Sequence, residues 1–66
     1  MTTQEQVQYL RGYEAGAAVI RSHRELDMPG AGVTIVQTMA LELAQGGVGL
    51  AVAQGLADSA LVEQGR

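Results

Sequence analysis

The chain has 66 residues, a net charge of −3, four arginines, no lysine and no cysteine. A chain of this length forms one small domain with a marginal core, and the absence of cysteine excludes disulfides and cysteine-based zinc sites. Its few basic residues argue against a nucleic acid or an anionic membrane surface as partner. We therefore expect one cytoplasmic domain over residues 1–66, without a secretion signal or spanning helix, that gains stability by self-association.

The first predicted element is a helix over residues 3–26. It opens with a capping-box pattern, because Thr2 is followed three positions later by Glu5. Apolar and long side chains then recur on one helical face, at Tyr9, Tyr13, Ile20 and Arg24. A second flank is made of small residues and would let another backbone approach closely; it comprises Gly12, Ala15, Gly16 and Ala18.

A turn is predicted over residues 27–33. The segment Asp27-Met28-Pro29-Gly30-Ala31-Gly32 contains the only proline, which disfavours helical geometry at the residue before it. The two glycines allow turn conformations. The chain is thus expected to reverse here.

The second predicted helix covers residues 34–64 and carries a heptad pattern. One series repeats every seven residues at Val36, Leu43, Leu50 and Ala57, and the other at Met39, Gly46, Ala53 and Ala60. Because this register continues across Gly46-Gly47, we prefer one continuous helix with Gly46 at a close helix crossing. The alternative is a break at Gly46-Gly47, which would give three short helices.

These elements predict an all-α fold, a helical hairpin that self-associates into a helical bundle, most simply a four-helix bundle. The longer second helix must overhang the first, which leaves Leu61 and Val62 in need of cover from another chain. The residues predicted to mediate self-association are Val36, Met39, Leu43, Gly46, Leu50, Ala53, Ala57 and Leu61.

The residues that carry chemistry predict no catalytic, cofactor or metal site. A P-loop needs a lysine, and neither glycine cluster has the spacing of a dinucleotide-binding fingerprint. His23 and Asp27 are spaced for one helical face but offer only two metal ligands per chain. We therefore expect a protein that is not an enzyme and holds no cofactor.

Tyr9, Tyr13 and Arg24 are the candidate partner or ligand interface, since tyrosine and arginine are frequent among residues that dominate interfaces. The simpler interpretation, which we favour, is that both rings pack inside the bundle. The predicted function is a non-enzymatic interaction protein that binds itself and another protein as adaptor, assembly subunit or small inhibitor.

Two alternative functions remain open. The first is a helical oligomer that binds a small molecule in a pocket at the subunit junction, lined by Tyr9, Tyr13 and Arg24. The second is a glycine-rich helix that interacts with a membrane, suggested by the mixture of glycine and aliphatic residues in GGVGLAVAQGLA.

Overall fold

The computed structural model describes residues 2–47 and 49–65, with the exception of the side chain of Pro29. The described residues form three helices: α1 (Thr3–Glu25), α2 (Pro29–Gly46) and α3 (Leu50–Gln64). The all-α class is confirmed. The predicted hairpin of two helices is wrong, because the described residues form three helices.

Both ends of α1 are fixed by local hydrogen bonds. At its start Thr2 and Glu5 form the predicted capping box, with the Glu5 N–H donating to Thr2 Oγ1 over 3.1 Å. At its end Asp27 adopts a left-handed conformation with φ of 60°. This lets the N–H groups of Asp27 and Met28 donate to the carbonyls of Arg24 and His23, the pairing of a Schellman motif.

The predicted turn over residues 27–33 is wrong in extent, because α2 begins at Pro29 instead of Thr34. Proline suits the first position of a helix, where its missing N–H has no intrahelical partner. Gly32 is a packing residue and not a turn residue: a Cβ there would lie 3.0 Å from Ile20 Cα and 3.0 Å from His23 Cβ.

The predicted continuous helix over residues 34–64 is also wrong. Helix α2 ends at Gly46, and Gly47 and Gly49 have φ of 70° and 72°; Val48 lies outside the described residues. In one straight helix the buried Val36 and Leu56 would lie about 200° apart around the axis, so they could not face the same core. The break at Gly46-Gly47, the alternative above, solves this conflict.

The helices form an up-down-up bundle in which α3 runs parallel to α1. Contacts progress in the same direction along both helices, from Gly12 beside Val52 to Arg24 beside Glu63. Helix α2 runs antiparallel to α1, since its start packs on Ile20 and its middle lies near Gly16. The bundle measures 37 × 21 × 16 Å.

The closest helix packing joins α1 to α3. A Cβ at Gly12 would lie 2.9 Å from Val52 C, and one at Gly55 would lie 2.7 Å from Tyr13 N. The prediction that Gly12 and Gly16 admit another helix is confirmed, whereas Ala15 and Ala18 of the same flank are exposed. The close crossing predicted at Gly46 is not formed within the described chain, because a Cβ there would meet nothing within 4 Å.

Candidate interaction surface

The core contains few large side chains. Among the described residues, the buried apolar ones are Ile20, Val36 and Leu56 together with the four alanines Ala17, Ala40, Ala53 and Ala60. Eleven large apolar side chains are more than a third exposed: Val7, Leu10, Leu26, Met28, Ile35, Met39, Leu41, Leu43, Leu50, Leu61 and Val62. Most of the large apolar residues therefore remain in contact with water.

An uncharged groove runs between α2 and α3, which we call the alanine groove. It has a volume of about 550 Å³ and is lined by Gln37, Ala40, Leu41, Ala44, Leu50, Ala53, Gln54 and Ala57. Leu41 and Leu50 stand on opposite helices and are both 59% exposed. Because the alanines are short, α2 and α3 leave a depression where larger side chains would have filled the contact.

A second apolar stripe lies on the other flank of α2. Ile35, Met39 and Leu43 follow one another at intervals of four residues and are each roughly two-fifths exposed; we call them the α2 ridge. Met39 and Leu41 are about 200° apart around the helix, so the α2 ridge and the alanine groove point in nearly opposite directions. Between them, on the outer side, α2 exposes the polar residues Thr34, Thr38, Glu42 and Gln45.

The residues predicted to mediate self-association are divided among these surfaces. Leu50, Ala53 and Ala57 line the alanine groove, and Leu61 lies on the same side of α3, about three turns beyond Leu50. Met39 and Leu43 belong to the α2 ridge. Val36 is buried inside the chain, and Gly46 ends α2 with open space around it. Whether they contact a second chain stays a prediction.

Tyr9 and Tyr13 are half-buried and lie over α3. Their ring centroids are 6.3 Å apart, and the backbone of both residues approaches Gly55. The Tyr9 hydroxyl donates a hydrogen bond to the Asp58 carboxylate, which also accepts one from Gln54 Nε2 over 2.9 Å. The bond to Asp58 and partial burial raise the pKa of Tyr9. The two tyrosines thus help to attach α3 to α1.

Arg24 lies far from the tyrosines, about 22 Å further along α1 than Tyr9. Its guanidinium donates to the carboxylate and to the carbonyl of Glu63, both over 3.1 Å, and Arg21 donates to the same carboxylate over 3.3 Å. Glu63 is only 2% exposed. A buried carboxylate requires such partners, so this cluster fixes the end of α3.

The pocket of Tyr9, Tyr13 and Arg24 was predicted at a subunit junction. Within one chain Tyr9 and Arg24 are about 22 Å apart along α1, and whether a second chain brings them together stays a prediction. A separate cavity of about 660 Å³ lies beside Arg24, where the ends of all three helices meet. The other residues that line this cavity include Ile20, Val33, Thr34 and Glu63. Neither Tyr9 nor Tyr13 lines it.

His23 and Asp27 are not part of a metal-binding cluster. Among the described residues, no three or more potential metal ligands lie close enough together to hold a metal ion. His23 Nδ1 donates to the Val19 carbonyl over 2.8 Å. Asp27 ends α1 through its left-handed backbone.

Ile35 of the α2 ridge and Leu41 of the alanine groove were not among the predicted surface residues. Both lie off the two heptad series, which assumed one helix through Gly46-Gly47. Read separately, residues 29–46 show Gln37, Leu41 and Ala44 at the i, i+4 and i+7 spacing of one helix face. That signal was present in the sequence.

No protein-family model, curated protein or solved structure matches the chain. In the described part of the chain, no helix combines the length and the apolar character needed to cross a membrane. The apolar surface of α2 and α3 is the feature that best indicates a function.

Proposed function

We propose that the protein is a helical assembly protein that self-associates through the apolar surface of α2 and α3. The observation that supports this is that, among the described residues, only three large apolar side chains are buried, whereas seven of the eleven exposed ones lie on α2 and α3. A chain of 66 residues has little core to spare, so burial of these side chains against a second copy would add stability that the single chain lacks. A functional unit that includes further copies would bury the exposed apolar side chains of α2 and α3.

The broad side of the bundle is large enough to form an interface with a second copy of the chain. A standard interface buries about 800 Å² on each partner. The broad side of the bundle, 37 × 21 Å, has roughly that projected area. One such contact would cover about a fifth of the 4309 Å² of accessible surface.

The charge distribution also favours self-association. Residues 29–64 carry only three charged side chains, Glu42, Asp58 and Glu63, and the last two are hydrogen-bonded to α1. The alanine groove has no charged lining residue, so two copies can approach without repulsion between like charges and without costly desolvation. Among the roles of adaptor, assembly subunit and inhibitor, this surface best supports an assembly subunit.

The test is the solution mass of the wild type and of two leucine variants, measured by light scattering at micromolar concentration. We expect the wild type to exceed 6.9 kDa at least twofold. Leu41→Glu places a charge beside the alanine groove and should lower the mass. Leu10→Glu is the matched control, because Leu10 is 54% exposed on α1, and it should keep the wild-type mass. A monomeric wild type, or an equal effect of both variants, would refute the proposal.

A second candidate function is small-molecule binding in the cavity beside Arg24. Its lining combines apolar Ile20 and Val33 with the paired Arg24 and Glu63, a mixture typical of ligand pockets. A thermal-shift screen of metabolites tests it, because a ligand that binds only the folded state raises Tm. Thr34→Trp, which would fill the cavity from an exposed position, should abolish the shift. A screen without such a ligand would contradict this function.

A further inference from the structure

The alanine groove and the α2 ridge have matching dimensions. The groove follows eight residues of each helix, from Gln37 to Ala44 and from Leu50 to Ala57, a length of about 10 Å. The α2 ridge runs from Ile35 to Leu43, about 12 Å. Helices pack when the side-chain ridge of one enters the groove of another.

We propose that the α2 ridge of one copy docks in the alanine groove of the next. This inference rests on the self-association proposed above and specifies its geometry. Short side chains such as Ala40 and Ala53 form the floor of the groove. Ile35, Met39 and Leu43, each about two-fifths exposed, supply the volume that the groove lacks. Two grooves placed face to face would have only their own Leu41 and Leu50 to fill the depression, whereas the α2 ridge supplies three further side chains for a close-packed contact.

This contact is head-to-tail. The α2 ridge and the alanine groove are on nearly opposite sides of α2, so a copy whose groove is filled still presents a free ridge. Each addition therefore leaves one unfilled groove and one unfilled ridge. Contacts of this kind continue until a ring closes, or they extend into a filament.

The test is complementation between two variants that fail on different surfaces. Leu41→Glu damages the groove and keeps the ridge, whereas Met39→Glu damages the ridge and keeps the groove; Met39 is 39% exposed, so the change should not unfold the chain. Each variant alone should be monomeric, at 6.9 kDa. Mixed in equal amounts, they should form a 1:1 dimer, because one intact ridge meets one intact groove.

Thr38→Glu is the matched control for this experiment. It adds the same charge to the exposed polar side of α2, next to Met39, and should keep the wild-type mass. Circular dichroism of every variant should give helical spectra and melting like those of the wild type.

The outcomes separate this inference from the proposed function. If the wild type associates but the mixed variants stay monomeric, or if either variant alone forms stable dimers, the ridge-in-groove contact is wrong and self-association stands. If Met39→Glu keeps the wild-type mass, the α2 ridge takes no part. A monomeric wild type would overturn both.

Discussion

The close packing of α1 on α3 makes a quantitative prediction for Gly55→Ala. The new methyl group would lie 2.7 Å from Tyr13 N, 3.1 Å from Gly12 C and closer still to Tyr9 O. All three atoms belong to the backbone, so no side chain can rotate away, and α1 must shift by about 1 Å to restore contacts near 3.5 Å. Overpacking of this kind costs about 1–3 kcal/mol, and here the upper end is expected. The better helix propensity of alanine offsets up to about 1 kcal/mol. We expect a net loss near 2 kcal/mol, which corresponds to a fall in Tm of roughly 8–16 °C.

Thermal unfolding followed by circular dichroism, at one fixed protein concentration, measures this effect. Gly46→Ala is the matched control, since it makes the same chemical change in a helix where nothing lies within 4 Å of the new Cβ. Its Tm should equal or slightly exceed that of the wild type. If Gly55→Ala melts at or above the wild-type temperature, α1 and α3 are not in backbone contact and the description of the fold fails at its tightest point.

Three further predictions concern local features. Gly32→Ala should destabilise the fold by about 1–2 kcal/mol, because the new Cβ meets the backbone of Ile20. Gly30→Ala, where the new Cβ meets open space, should stabilise the fold by about 0.5 kcal/mol. The free energy of unfolding in urea measures both changes. Asp27→Gly should raise the unfolding free energy by about 0.5–1 kcal/mol, because glycine adopts φ of 60° without strain, and an unchanged urea midpoint would contradict the Schellman end of α1. The raised pKa of Tyr9 means that the bond to Asp58 stabilises the fold at neutral pH and is lost as pH rises through that pKa, above about 10. In an ultraviolet titration of the tyrosines, Asp58→Asn should move the Tyr9 transition to lower pH, with Tyr9→Phe identifying that transition.

The sequence was sufficient to predict α1, because its start has a capping box and because Gly12 and Gly16 mark the face that packs on α3. It was not sufficient for the start of α2. Pro29-Gly30 fits a turn and the first turn of a helix equally well, and the decision depends on whether Gly32 has a helix to pack against. That helix is the end of α1, which lies beside Gly32 only once the chain has folded, so the local sequence does not show it.

The break after Gly46 illustrates a different limit. Leu43 and Leu50 keep heptad spacing, and that regularity favoured one helix. The deciding factor is the rotation between Val36 and Leu56, which only the shared core reveals. The assumption of one continuous helix also affected the predicted surface residues. Leu50, Ala57 and Leu61 were predicted and lie on one side of α3, whereas Leu41 on α2, across the alanine groove, was not predicted.

The parallel arrangement of α1 and α3 has a consequence for how the chain folds. The bonds between these helices join residues 39 to 49 positions apart, from Arg24 with Glu63 to Tyr9 with Asp58. Contacts so distant in sequence form late, because the entropy of closing the intervening chain must be lost first. Helices α1 and α2 can meet earlier, but without Leu56 their shared core is incomplete. We therefore expect one cooperative folding step, limited by the arrival of residues 50–64 on α1, and slower refolding than in bundles whose contacts join sequence neighbours.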